Sequence, residues 1–120
     1  MRALSVVRAY HSAWTGKRFE EAIRLLAPDL VVEVPINHYP NKDSFAQALT
    51  GFGGLVKSVD LLAEFSKANE AMLLYDMDVE GLGKMRIAEH FTIADERIVR
   101  IRQIHDTTAV RAAGFARSTP

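Results

Sequence analysis

Met85-Arg86-Ile87-Ala88-Glu89-His90-Phe91-Thr92-Ile93 is the stretch on which the fold turns. Every second residue from Met85 is large and apolar except Glu89, and the residues between are Arg86, Ala88, His90 and Thr92. A period of two marks a strand with one buried face, because successive side chains leave a sheet on opposite sides. The same alternation precedes it in Leu73, Tyr75, Met77 and Val79, set against Leu74, Asp76, Asp78 and Glu80. It follows in Val99, Ile101, Gln103 and His105, opposite Ile98, Arg100, Arg102, Ile104 and Asp106. Further upstream Val59, Leu61, Ala63 and Phe65 alternate with Ser58, Asp60, Glu64 and Ser66, and Leu62 is the apolar exception on the second face. Short turns at Ala68-Asn69-Glu70, Gly81-Leu82-Gly83 and Ala94-Asp95-Glu96 make these strands sequential antiparallel neighbours.

Towards the N-terminus the period becomes helical. Ala3, Val6, Val7, Tyr10, Ala13 and Trp14 form one stripe, with Gly16 placed for a left-handed cap. Phe19, Ala22, Ile23 and Leu26 form a second, shorter one, ended by Pro28. Leu30 to Pro35 reads as a strand, and Phe45, Ala48, Leu49 and Phe52 as a third helix capped by Asn41 or Asp43 and closed by Gly51, Gly53 and Gly54. Helices followed by consecutive strands give an α+β domain: a curved antiparallel sheet wrapped around the N-terminal helices. The whole chain, 1–120, is expected to be one domain, with a tail over 107–120 that forms a short helix, capped by Asp106 or Thr107 and stopped by Gly114, and then a disordered end.

Composition narrows the function classes. Hydrophobic residues at 48% and charged residues at 25% are ordinary globular values and argue against a disordered or fibrous chain. Fifteen basic side chains balance fifteen acidic ones, so the field that draws a protein to nucleic acid or anionic lipid is missing. Without cysteine there is no disulfide framework and no thiolate metal site. Arg8 and His11 interrupt the first apolar patch before a signal-peptide core is reached, and no apolar run approaches the roughly 18 residues of a membrane span. The expectation is a cytoplasmic protein with no nucleic-acid or membrane partner.

Tyr10 in the first helix, the run Gly16-Lys17-Arg18-Phe19-Glu20-Glu21-Ala22 leading to Ala27-Pro28-Asp29-Leu30-Val31-Val32-Glu33-Val34-Pro35, and the closing Arg97-Ile98-Val99-Arg100-Ile101 with Asp106 resemble the nuclear transport factor 2-like superfamily. Asp106-Thr107-Thr108-Ala109-Val110 with Ala113-Gly114-Phe115 is similar to the terminal helix of its SnoaL-like polyketide cyclase branch. The resemblance implies a cone-shaped α+β roll of cystatin-like type with a cavity between helices and sheet, often dimerised through the outer sheet face. It admits isomerases, cyclases, epoxide hydrolases, dehydratases and members without catalysis. Against the ketosteroid isomerases of that superfamily, Tyr10 is similar to the oxyanion-hole tyrosine and Glu89 to the second, acidic donor. The position of their general base is Val34, which cannot take a proton.

Glu89 lies in phase with the buried face, where a carboxyl needs partners or a proton. Protonated beside the Tyr10 hydroxyl, it gives two donors for a developing oxyanion; bonded to Tyr75, which stands opposite if the Gly81-Leu82-Gly83 turn is symmetric, it is purely structural. His105 is the candidate proton carrier. A three-residue loop at Ala94-Asp95-Glu96 pairs Glu89 with Ile101 and leaves His105 four positions further, about 13 Å at roughly 3.3 Å per residue. A left-handed backbone at Glu96 costs on the order of 1 kcal/mol.

Trp14, Val34, His38, Phe52, Tyr75 and Gln103 are expected to line the substrate space, with Met72, Met77 and Met85 able to join them. His11 falls at the edge of its stripe and His90 on the outer face, and no residues carry metal-ligand spacing. Asp78 opposite Arg86 and Glu80 opposite Lys84 read as cross-strand pairs, while Leu62, Leu74, Ala88 and Ile104 among such charges suit a homodimer interface. The chain is thus expected to bind a small apolar carbonyl compound, as a cofactor-independent isomerase or cyclase acting by enolisation. The alternative is a non-catalytic homodimeric ligand-binding or protein-interaction module.

Overall fold

The computed structural model describes residues 2–114. Two long strands, β3 (Glu70–Val79) and β4 (Gly83–Ala94), form the centre of the sheet, and their inward side chains supply much of the core. β2 (Val56–Lys67) pairs with β3 on one side, and β5 (Arg97–Ile104) with β4 on the other. These four strands are antiparallel. The fifth, β1 (Leu26–Glu33), begins earlier than its apolar run suggested and lies parallel to β5 at the edge, so the sheet is mixed, in the order β1-β5-β4-β3-β2. α1 (Arg2–Thr15), α2 (Phe19–Arg24) and α3 (Lys42–Gly53) cover the concave face, and α4 (Thr108–Ala112) follows the last strand. The expected disordered end, beyond residue 114, lies outside the described residues.

The α1 stripe is buried along its length, and its C-terminus differs from expectation in one residue. The left-handed position is Lys17, at φ 65°, not Gly16. The cost of that backbone is offset because the Lys17 ammonium donates to the carbonyls of Gly53, at the end of α3, and Val56, at the start of β2, each at 2.5 Å. α3 starts from a capping box: Asn41 Oδ1 accepts from the Ser44 amide at 2.9 Å, and Ser44 Oγ accepts from the Asn41 amide at 3.3 Å.

Two bulges reset which side chains face inward, and strict alternation could not see them. In β2 the register slips between Leu61, which pairs with Tyr75, and Ala63, which pairs with Leu74. Phe65 is therefore turned outward beside Met72 and is 70% exposed, while Glu64 faces inward and is held by Arg8. Met72 is on the outer face as well and lines no cavity. In β5 the extra residue is Val99, so Ile98 and Ile101 both point into the core. The β3–β4 pairing also differs from the symmetric turn: Tyr75 stands opposite Ile87, Asp76 opposite Arg86 and Asp78 opposite Lys84. Arg86 accordingly forms its two-pronged bond with Asp76, at 2.7 and 2.8 Å, and Glu80 has no partner in this ladder.

The β4–β5 turn holds two residues, Asp95 at φ 51° and Glu96 at φ 62°, which is the mirror-image turn that suits strand twist. An L-residue in that conformation is strained. Glu96→Gly is expected to stabilise the protein by about 0.5–1 kcal/mol in equilibrium urea unfolding; a lower midpoint for the variant would contradict the turn.

Candidate functional site

A cavity of about 420 Å³ lies between α1, α3 and the concave sheet face. α1 contributes Tyr10 and Trp14, α3 contributes Phe45, Leu49 and Phe52, and the strands contribute Tyr75, Met77, Met85, Ile87 and Glu89. Val34 and the segment Pro35–Asn37 with Tyr39 border it beyond β1, and His105 and Val110 beyond β5. The wall is apolar because it is assembled from the inner faces of amphipathic elements, and among the described residues Glu89 is the only carboxyl in it.

Glu89 is 1% exposed, and both its oxygens are engaged. The Tyr75 hydroxyl donates to Oε1 at 2.9 Å, and the Gln103 amide donates to Oε2 at 2.8 Å. Tyr75 reaches it along a diagonal, being opposite Ile87, and Gln103 reaches it from the directly opposite position. The two-residue turn and the Val99 bulge together replace the expected Ile101 partner by Gln103 and bring His105 within two residues of it, roughly 7 Å along the chain. Among the described residues no cation is bonded to the carboxyl. Burial pushes Glu89 up to about 7, against the downward pull of the Gln103 and Tyr75 hydrogen bonds. Burial, reinforced by the Glu89 charge, holds the hydroxyls of Tyr10 and Tyr75 well above their ordinary value, so both stay protonated donors.

Tyr10 packs edge-on against Phe91 at 5.8 Å, and its hydroxyl bonds to none of the described residues. At the cavity entrance His105 Nδ1 lies 3.0 Å from the carbonyl oxygen of Asp106. A proton on Nδ1 donated there leaves Nε2 as the basic nitrogen. Asp106 itself accepts from the Thr108 amide at 2.9 Å, which sets up α4 and holds its carboxyl below the usual range.

Of the residues singled out from the sequence, Tyr10, Trp14, Val34, Phe52, Tyr75, Glu89, Gln103 and His105 border one cavity. His38 does not: it is exposed, while its neighbours Asn37 and Tyr39 turn inward. Phe45 and Leu49 were legible as the α3 stripe, whereas Ile36 and Asn37 sit in irregular backbone with no periodicity to announce them. His11 is buried, not marginal, with its ring 4.8 Å from that of Tyr75 and 5.6 Å from that of Trp14. Its burial lowers it to about 4, against the charge of Glu64. Among the described residues no three potential metal ligands cluster, and no helix is long and apolar enough to cross a membrane.

An α+β roll closed around one apolar chamber defines the nuclear transport factor 2-like class. Within it, the chain belongs to the SnoaL-like domain family, whose pattern it matches over residues 7–101. It is similar to a protein of Kribbella flavida DSM 17836 at 33% identity, with a TM-score of 0.86 over 92% of each chain. The fold is also that of a steroid delta-isomerase from Pseudomonas aeruginosa (TM-score 0.78, 18% identity, 96% of this chain and 88% of that one). It is shared with an LEH-like epoxide hydrolase of M. tuberculosis (0.76, 19%, 92% and 87%). A comparison with curated proteins finds no significant match.

The two displaced groups pull stability in opposite directions with pH. Glu89 binds its proton more tightly folded, at about 7 against 4.5, so its contribution is greatest below 4.5 and is lost as pH rises to about 7. His11 binds its proton less tightly folded, at about 4 against 6.5, so its contribution is present above 6.5 and is lost as pH falls towards 4. Wild-type stability is therefore expected to change little across the overlap, where the slopes oppose. In Glu89→Gln the slope opposing that of His11 is gone, so stability climbs with pH there, and from pH 4.5 to 8 the difference between the two proteins moves in favour of the variant by on the order of 2–3 kcal/mol. Urea midpoints across the range test this, and a difference that does not change with pH contradicts it.

Proposed function

We propose that this SnoaL-like domain binds a small apolar carbonyl compound in its cavity and catalyses proton transfer next to the carbonyl, as an isomerase or cyclase does. One observation carries the reading: a carboxyl with no cation bonded to it on the floor of an apolar chamber of about 420 Å³, within the roughly 300–1,000 Å³ usual for ligand sites. A chamber of that size does not fit a pocket filled by its own side chains.

The hydrogen bonds favour a role for Glu89 other than the donor suggested by resemblance. Both oxygens accept, which is the arrangement that supports an anion, and a value near 7 suits a base working at neutral pH. The substrate carbonyl oxygen takes the Tyr10 hydroxyl proton in a hydrogen bond. Glu89 removes a proton from the adjacent carbon, the C–H electron pair becomes the enolate, and Tyr10 holds the charge on oxygen. Return of the proton to a different carbon isomerises the molecule; attack of the enolate carbon on a second carbonyl closes a ring. His105 supplies a second proton-transfer group at the entrance. Val34, apolar where the isomerases carry their base, supports the competing reading of a binder without turnover.

Deuterium wash-in at C2 of 1-tetralone in D₂O, followed by NMR, separates the two. The expected rate rises with pH through about 7, falls roughly 100-fold in Glu89→Gln and falls by a comparable factor in Tyr10→Phe. A rate that instead falls as pH rises would make Glu89 a donor, and bound tetralone that never exchanges in wild type would leave the binding module alone.

The same reading places a second copy of the chain on the outer sheet face. Ala63, Leu74, Ala88 and Ile104 form one row across four strands, beside Phe65 and Met72, and Ile104 is 71% exposed. Acidic Asp60, Asp76 and Asp78 lie on the β2–β3 half, and basic Arg86, Arg100 and Arg102 on the β4–β5 half. A twofold axis parallel to the strands lays each half over its opposite. Light scattering is expected to give twice the chain mass for wild type and the single mass for Ile104→Asp; equal masses would remove this interface.

A further inference from the structure

Tyr10 and Trp14 are one helical turn apart on the same face of α1, about 6 Å along its axis, and both border the cavity. They are 1% and 5% exposed, and neither the hydroxyl nor the indole N–H has an acceptor among the described residues. Buried donors of this kind are nearly always matched. They are also not sealed: the enclosed polar atoms without a partner are His11 Nδ1 and His90 Nδ1. Neither donor is sealed, and both residues border the chamber.

Resting on the function proposed above, we infer that Trp14 is a specificity-determining residue whose indole N–H binds a second oxygen of the ligand, so that the site selects molecules with two acceptors on opposite sides of one ring system. Tyr10 takes the reacting carbonyl, beside Glu89. Trp14 takes the distal hydroxyl, ether or carbonyl, and a compound with one oxygen leaves it unmatched. A site that offers a donor discriminates against the analogue lacking the acceptor because the buried donor is then left unpaired.

Calorimetric titration with 1-tetralone and 4-hydroxy-1-tetralone tests this. Wild type is expected to prefer the hydroxylated compound by about fivefold to tenfold. Trp14→Phe is expected to remove the preference between the two compounds, while Tyr10→Phe weakens both alike. Trp14 is the one tryptophan of the chain, so its indole N–H gives a single, unambiguous NMR resonance in unmodified protein. That resonance moves downfield with 4-hydroxy-1-tetralone and not with 1-tetralone, a readout that holds even if Trp14→Phe fails to fold. A preference that survives Trp14→Phe, or an indole resonance that answers both compounds equally, overturns the second donor and leaves the proposed function standing. Failure of both compounds to bind wild type overturns both.

Discussion

A carboxyl group taken out of water without a cation is the constraint around which this molecule is arranged. Glu89 occupies a strand position that packing alone would give to leucine or isoleucine, as its neighbours Ile87 and Phe91 show. Two neutral donors, from Tyr75 and Gln103, meet its oxygens, and each comes from a different strand. Their positions depend on the β3–β4 pairing on one side and on the β4–β5 pairing on the other. The sheet register and the protonation of one side chain are thus parts of a single problem, and a slip on either side would leave an oxygen unmatched in the interior.

Much of the architecture was legible in the order of periods, three helical stripes followed by alternating strands. Period-two reading works wherever a strand is regular, and it identified the inward sets of β3 and β4 without error. It failed at the bulges near Leu62 and Val99, because one unpaired residue puts the two sides of a strand out of phase, inverting the residues after it in β2 and Ile98 before it in β5, while leaving the composition of the strand unchanged. The parallel placement of β1 was hidden for another reason. Its direction depends on how a chain returns after two helices, which is a tertiary fact with no local signature.

The site was legible to the extent that it is built from periodic elements. Glu89 announced itself by breaking an apolar row, and Tyr10 and Trp14 by their places in the α1 stripe. His38 and Asn37 show the limit: adjacent polar residues in irregular backbone, of which the second turns inward, with nothing in their identities to choose between them. His11 is buried although it stands at the edge of its stripe, because a helical stripe has no sharp margin and Tyr75 of a distant strand, with Trp14 of the same helix, closes over it. Tyr75 was legible as a partner of Glu89, although it reaches the carboxyl along a diagonal and not from the opposite position, whereas Gln103 depends on both the turn length and the bulge.

The Lys17 ammonium, clasping the carbonyls of Gly53 and Val56, ties the end of the first helix to the end of the third. The walls that carry Trp14 and Phe52 are thereby fastened together at these two carbonyls. Among the described residues, the part of the boundary that belongs to neither helix nor strand is Val34 to Asn37, Tyr39 and His105. The least regular wall of the chamber is thus the one held neither by this clasp nor by a strand ladder.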